Sequence, residues 1–138
     1  MEDFWAEEFM SIPPLPSGSP ELDMLIGGGL APGVITQVFG EPASGKSTIC
    51  VMASVSALRA GGRVLFLDSE GFSAERFRQI AGADAEKLAE HLYLYEPEDF
   101  TQQATMVRGL DTMLRDGAGL LVVDSATGLY RSQLEKGR

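Results

Sequence analysis

Cysteine and histidine are almost missing: Cys50 and His91 are the single instances of each in 138 residues. One cysteine excludes an internal disulfide, and one of each leaves no ligand set for a Cys/His zinc cluster. A reducing, cytoplasmic compartment is the expectation that follows. Basic residues are scarce too, 11 against 20 acidic, for a formal net charge of -9. That is a poor footprint for a ligand that is a bare polyanion. The nearest thing to a basic patch is Arg131, Lys136 and Arg138 at the end of the sequence. No apolar run approaches the roughly 20 residues that span a bilayer, and the acidic start MEDFWAEEF is the reverse of a secretory leader. No membrane partner is expected.

Hydrophobic residues make up 44% and charged residues 22%, which are globular proportions and exclude a disordered or low-complexity chain. The length suits one domain. Residues 1–19 carry Pro13, Pro14 and Pro16, which forbid a regular helix or central strand, and they read as an arm leading into a domain over 20–138. Ser19 before Pro20 has the form of a helix start, and Gly27-Gly28-Gly29 ends that helix. Apolar runs then alternate with helix-length segments. Strands are expected at Val34–Phe39, Arg63–Asp68, Leu92–Tyr95 and Leu120–Asp124. Helices are expected over about 46–60, from near Ser73, and over about 99–115, where Phe100, Ala104, Val107, Leu110 and Leu114 would cover the sheet. The fold class is α/β with a mostly parallel sheet flanked by helices.

Between the first expected strand and the long helix, Gly40-Glu41-Pro42-Ala43-Ser44-Gly45-Lys46-Ser47 fits the phosphate-loop pattern G-x-x-x-x-G-K-[ST] in its required context. Such a loop turns backbone N–H groups inward, from Ala43 to Thr48 here, and Gly45 lets phosphate oxygens approach the main chain. Lys46 offers a mobile positive charge to the β- and γ-phosphates of ATP, and the Ser47 hydroxyl can ligate Mg²⁺. Leu120-Leu-Val-Val-Asp124 is an apolar strand ending in an acid, the form of a Walker B strand whose Asp124 holds the same Mg²⁺. At the end of the second strand, Asp68 and Glu70 reach the edge where ligands bind in open α/β sheets. Alternation puts both on one face, and spacing does not choose which polarises an attacking water and which caps the next helix. Cys50, one turn past Lys46, reads as a small buried hydrophobe.

Together Gly40–Ser47, Leu67-Asp-Ser-Glu-Gly-Phe-Ser-Ala-Glu-Arg76 and Leu121-Val-Val-Asp-Ser-Ala-Thr-Gly-Leu-Tyr-Arg131 resemble the ATPase core of the RecA-family recombinases, in its archaeal RadA/RadB branch. Only a short arm precedes the core, where RadA has a helical DNA-binding domain, so the resemblance leans to the RadB side. It implies a P-loop NTPase of RecA-like fold that binds and weakly hydrolyses ATP with Mg²⁺ in DNA repair and homologous recombination. It makes Glu70, which positions the hydrolytic water, and Lys46 the catalytic residues, Asp124 the Walker B acid, and Arg76 the residue lying against the adenine. It also implies DNA as partner through regions beyond residue 138, with RadA recombinase and a Holliday-junction resolvase as further partners.

Several departures accompany the resemblance. Ala43 stands where the family usually has glycine, and a left-handed backbone there would strain it. Phe4 is followed three residues later by Glu7, which does not fit the Phe-x-x-Ala pattern of polymerising recombinases. The expected core is its front part only, lacking two DNA-binding loops and a strand that inserts between the phosphate-loop and Walker B strands, so apolar strand edges should be exposed. Two other readings stand beside this one. A KaiC-like regulatory ATPase shares the triple glycine and phosphate loop but tends to have paired glutamates where this chain has Asp68-Ser69-Glu70. A non-catalytic adaptor would use nucleotide only to rigidify an interaction surface.

Overall fold

Strand β1, Val64–Asp68, is buried along all five residues, as its unbroken apolar run requires of a strand covered on both faces. In the computed structural model, which describes residues 12–137, β1 lies between β2, Leu92–Tyr95, and β3, Leu120–Asp124. Both pairings are parallel, with Val64 opposite Leu92 on one side and Leu120 on the other. Parallel neighbours need crossovers, and helices supply them.

Among the described residues, six α-helices and a 3-10 turn precede or connect these strands. Helix α1 is Pro20–Leu25, with Ser19 as its N-cap accepting from Leu22 N–H, and α2 is Lys46–Arg59. Between β1 and β2 come α3, Ala74–Ala81, capped by Ser73, then a 3-10 turn and the short α4, Ala85–Ala89. Between β2 and β3 come α5, Phe100–Gly109, and α6, Asp111–Arg115. Helix α7, Gly128–Lys136, follows β3. Val51, Val55 and Leu58 of α2 pack with Val64 and Phe77 on one face of the sheet, while Leu65 and Leu67 meet Leu110, Met106 and Met113 on the other. Alternating β1 side chains thus close two apolar layers around one strand. No helix among the described residues is long and apolar enough to cross a membrane.

Three expectations change. Val34–Phe39 is not a strand: it pairs with no strand among the described residues, with Ile35 98% and Phe39 85% exposed. An extended segment gains by sheet formation only where a neighbour answers its N–H and C=O groups. The helix over 99–115 breaks after Gly109, a poor helix former, where Leu110 N–H turns back to Val107 O at 3.2 Å. Its buried side is Gln103, Met106, Leu110 and Met113, while Val107 and Leu114 are exposed. Cys50 is half-buried rather than buried. Of the proposed arm, residues 1–11, with Phe4 and Glu7, lie outside the described residues, as does Arg138.

Candidate nucleotide site

The phosphate loop joins the unpaired segment to α2 and owes its turn to two left-handed residues, Ala43 at φ 60° and Gly45 at φ 101°. A Cβ on Gly45 would meet nothing within 4 Å, so it is the backbone angle, not crowding, that calls for glycine there. Ser44 N–H donates to Glu41 O at 3.2 Å, and Glu41, Pro42, Ala43 and Ser44 are all exposed. Lys46, Ser47 and Thr48 form the first turn of α2, half-buried. Lys46 Nζ donates to the Gly40 carbonyl at 2.6 Å, so the cation folds over its own loop. The Ser47 hydroxyl donates to Asp124 Oδ2 at 2.7 Å, joining two residues 77 apart in sequence.

At the carboxyl edge the two acids separate. Asp68 is buried, and its Oδ1 accepts from Glu70 and Gly71 N–H, both at 3.1 Å, while Oδ2 accepts from Phe72 N–H at 2.6 Å. The chain leaves strand geometry at Ser69, so the expectation that both acids share one face fails. Asp68 is a clasp for the loop, a use that aspartate before a turn is well suited to. Phe72 then caps the loop against Phe66, ring centroids 5.1 Å apart. Glu70 is exposed, and its Oε1 accepts from the Ser125 hydroxyl at 2.7 Å.

A hollow of about 30 Å³ lies between α2, β1, β3 and α3, lined by Ser47, Asp68, Asp124 and Arg76 among others. Glu70 is not in its lining. A larger cavity of about 290 Å³, between the start of α5 and α7, holds none of the expected site residues. One turn along α2 from Ser47, burial pushes the Cys50 thiol up to about 11, and the nearby Asp124 carboxylate adds to the rise. Both disfavour a thiolate. Ser47 and Asp124 offer hard oxygen donors side by side, which suits Mg²⁺ rather than a soft metal. An open loop with a lysine at its base suits a phosphate chain. The residues present fit Mg-ATP.

Sequence reasoning assigned no role to Asp68 beyond an alternative to Glu70, and none to Ser69, Ser125 or Gln103. Ser69 N–H donates to Asp124 O at 2.8 Å and Ser125 N–H to Ser69 Oγ at 3.1 Å, locking the loop after β1 to the turn after β3. Gln103 Nε2 donates to Ala126 O at 3.2 Å from the buried side of α5. The signal for Asp68 was its place before Ser-Glu-Gly, a turn composition; the others had none, since their partners are more than twenty residues away.

A Rad51 family model matches residues 9–138. The chain is 57% identical over 125 residues to the DNA repair and recombination protein RadB of Methanoculleus marisnigri, covering 88% of this chain and 56% of the relative. It is 42% identical to the RadB of Methanococcoides burtonii, over 86% of this chain and 53% of the relative. A crystal structure of the RadB recombinase superposes with a TM-score of 0.74 at 37% identity, covering 90% of this chain and 57% of that one. The chain therefore spans about half the length of the relatives it matches. The fold is RecA-like, and with a family model that matches almost every residue, the chain belongs to the Rad51 family.

Proposed function

We propose that this chain carries the nucleotide-binding half of a RadB-like DNA repair and recombination protein, binding ATP with Mg²⁺ and hydrolysing it weakly. The observation that carries the reading is the 2.7 Å approach of the Ser47 hydroxyl to Asp124, directly beside the lysine of the phosphate loop. Lys46 exchanges the Gly40 carbonyl for the β- and γ-phosphates, and the amides from Ala43 to Thr48 receive the remaining phosphate oxygens. Ser47 and Asp124 hold Mg²⁺, which when bound neutralises charge on the phosphate oxygens. Glu70 orients the attacking water, and Arg76 lies against the base. DNA is engaged through regions outside these 138 residues, because a net charge of -9 suits no polyanion surface here. RadA recombinase and a Holliday-junction resolvase are the partners in this reading.

Thermal unfolding of the chain with and without Mg-ATP tests it, beside Lys46→Ala. Ligand at 100 times its dissociation constant adds about 2.7 kcal/mol to stability, so the melt rises in the wild type and stays put in the variant. An unshifted wild-type melt sinks the reading. One observation favours a second reading, the non-catalytic adaptor: the segment feeding the phosphate loop has no sheet partner among the described residues. Under it Glu70→Gln has no turnover to lose. Measurable hydrolysis abolished by that substitution excludes it.

A further inference from the structure

Three chain segments meet at Glu70 in a contact that neither the phosphate loop nor the metal pair requires. The Ser125 hydroxyl donates to Glu70 Oε1 at 2.7 Å and accepts from Gly128 N–H, at the start of α7, at 3.1 Å. A Cβ built on Gly128 would lie 2.7 Å from that hydroxyl and 2.8 Å from Glu70 Oε1. Real Cβ atoms do not come so close, so only glycine leaves room for the pair. A serine hydroxyl has one proton to give and lone pairs to receive, and here both are committed.

The backbone beneath is already pinned. Asp68 holds the loop after β1 by three N–H groups, and Ser69 and Ser125 tie that loop to the turn after β3. What the backbone leaves undecided is the Glu70 side chain, which is exposed and otherwise free to exchange rotamers. We propose that Ser125 is a positioning residue for Glu70, and that through Gly128 it makes the orientation of Glu70 depend on the placement of α7. The catalytic consequence rests on reading Glu70 as the carboxylate that orients water. Helix α7 packs on α5 through Phe100 and Tyr130, ring centroids 5.2 Å apart, and its residues from Tyr130 to Lys136 are exposed. A partner that shifts this helix moves the Gly128 amide and, through Ser125, the carboxylate.

The full chain with glutamate ¹³C-labelled at the side-chain carboxyl provides the test. Ser125→Ala moves the Glu70 carboxyl resonance and speeds Gly128 amide exchange about tenfold, the factor of one ordinary hydrogen bond. Ser125→Thr, which keeps the hydroxyl, restores both. Gly128→Ala moves the Glu70 resonance with Ser125 still present. An unchanged resonance and unchanged exchange in Ser125→Ala overturn the proposal, as does a threonine variant that behaves like alanine. Among chains that bind Mg-ATP within about twofold of one another, single-turnover hydrolysis falls about tenfold in Ser125→Ala; equal rates overturn the positioning role. A wild-type chain that binds no Mg-ATP overturns the nucleotide reading instead, and the two resonance measurements then decide the contact by themselves.

Discussion

Val34–Phe39 and Val64–Asp68 are similar as sequence and opposite as structure. Both are short apolar runs before a loop, and both read as parallel strands. Val64, Leu65, Phe66 and Leu67 are each at most 1% exposed, whereas Val34, Ile35 and Phe39 are each more than 60% exposed. The difference is in the neighbours: β1 has a strand on each side and helices on both faces, and the segment at 34–39 has no strand beside it among the described residues. A buried strand is a property of its surroundings as much as of its residues. The phosphate loop is therefore anchored firmly by α2 and weakly by the segment that leads into it.

The sharpest way to break this comparison is to truncate one side chain from each region. Phe66→Ala removes a buried ring that packs at 5.1 Å on Phe72, and the expected loss is about 3–5 kcal/mol in a urea melt. Phe39→Ala, at an exposed position, is expected to cost less than about 0.5 kcal/mol. If Phe39→Ala costs as much as Phe66→Ala, the segment is packed in solution and the contrast fails.

The pairing of strands explains which parts of the fold could be read in advance. The three strands of the sheet, the N-cap Ser19, the start of α3 near Ser73 and the bounds of α2 were legible because each rests on local pattern: an apolar run, a capping hydroxyl, a glycine-to-lysine turn. The fate of 34–39 was not, because it turns on a neighbour outside the segment. The buried side of α5 and α6 was misjudged for a related reason. Gln103, Met106, Leu110 and Met113 keep one helical stripe across the break, while Val107 and Leu114 lie one position round from it and turn outward, and which stripe faces the sheet depends on the neighbours. At the candidate site, Lys46, Ser47 and Asp124 were legible from motif spacing, and the structure brings Ser47 and Asp124 together. The division between Asp68 and Glu70 was not legible, because strand alternation predicts nothing once the chain leaves the strand.

Asp68→Ala sharpens the comparison from the other side, by loosening the well-packed region at its edge. Three backbone N–H groups lose their acceptor, for an expected cost of about 2–3 kcal/mol by denaturant melt, since water reaches part of the loop. Fast amide exchange at Gly71 and Phe72 accompanies it. A cost below about 0.5 kcal/mol would mean that the loop holds its shape without the carboxylate.

Cys50 sits where the two regions join, and its thiol reports how tightly α2 is packed there. Burial first, and the Asp124 charge second, raise it from 9.0 to about 11. The folded state binds this proton more tightly than the unfolded one, so the resulting stability is complete below about pH 9 and is lost as pH rises through about 11. Alkylation of the folded chain is expected to reach half its maximal rate near pH 11, and that of the urea-unfolded chain near pH 9. Asp124→Asn shifts the folded midpoint slightly downward. A folded midpoint near 9 would mean that α2 is open to solvent at this turn.

The smallest expected effect concerns Ala43, on the weakly anchored side. Its left-handed φ of 60° costs an L-residue about 1–2 kcal/mol, and Ala43→Gly removes that cost. Glycine also gives the unfolded chain more freedom, which takes back about 0.4–1 kcal/mol. The difference leaves a net gain in unfolding free energy of about 1 kcal/mol by denaturant melt. The loop is exposed and joined to an unpaired segment, which lets it relax part of the strain that a rigid turn would store. A gain above about 2 kcal/mol would show that the loop is held as firmly as β1. A loss would show that the alanine loop avoids the left-handed region in solution and reaches it only when phosphate binds, in which case Ala43→Gly should tighten Mg-ATP binding more than it changes the melt.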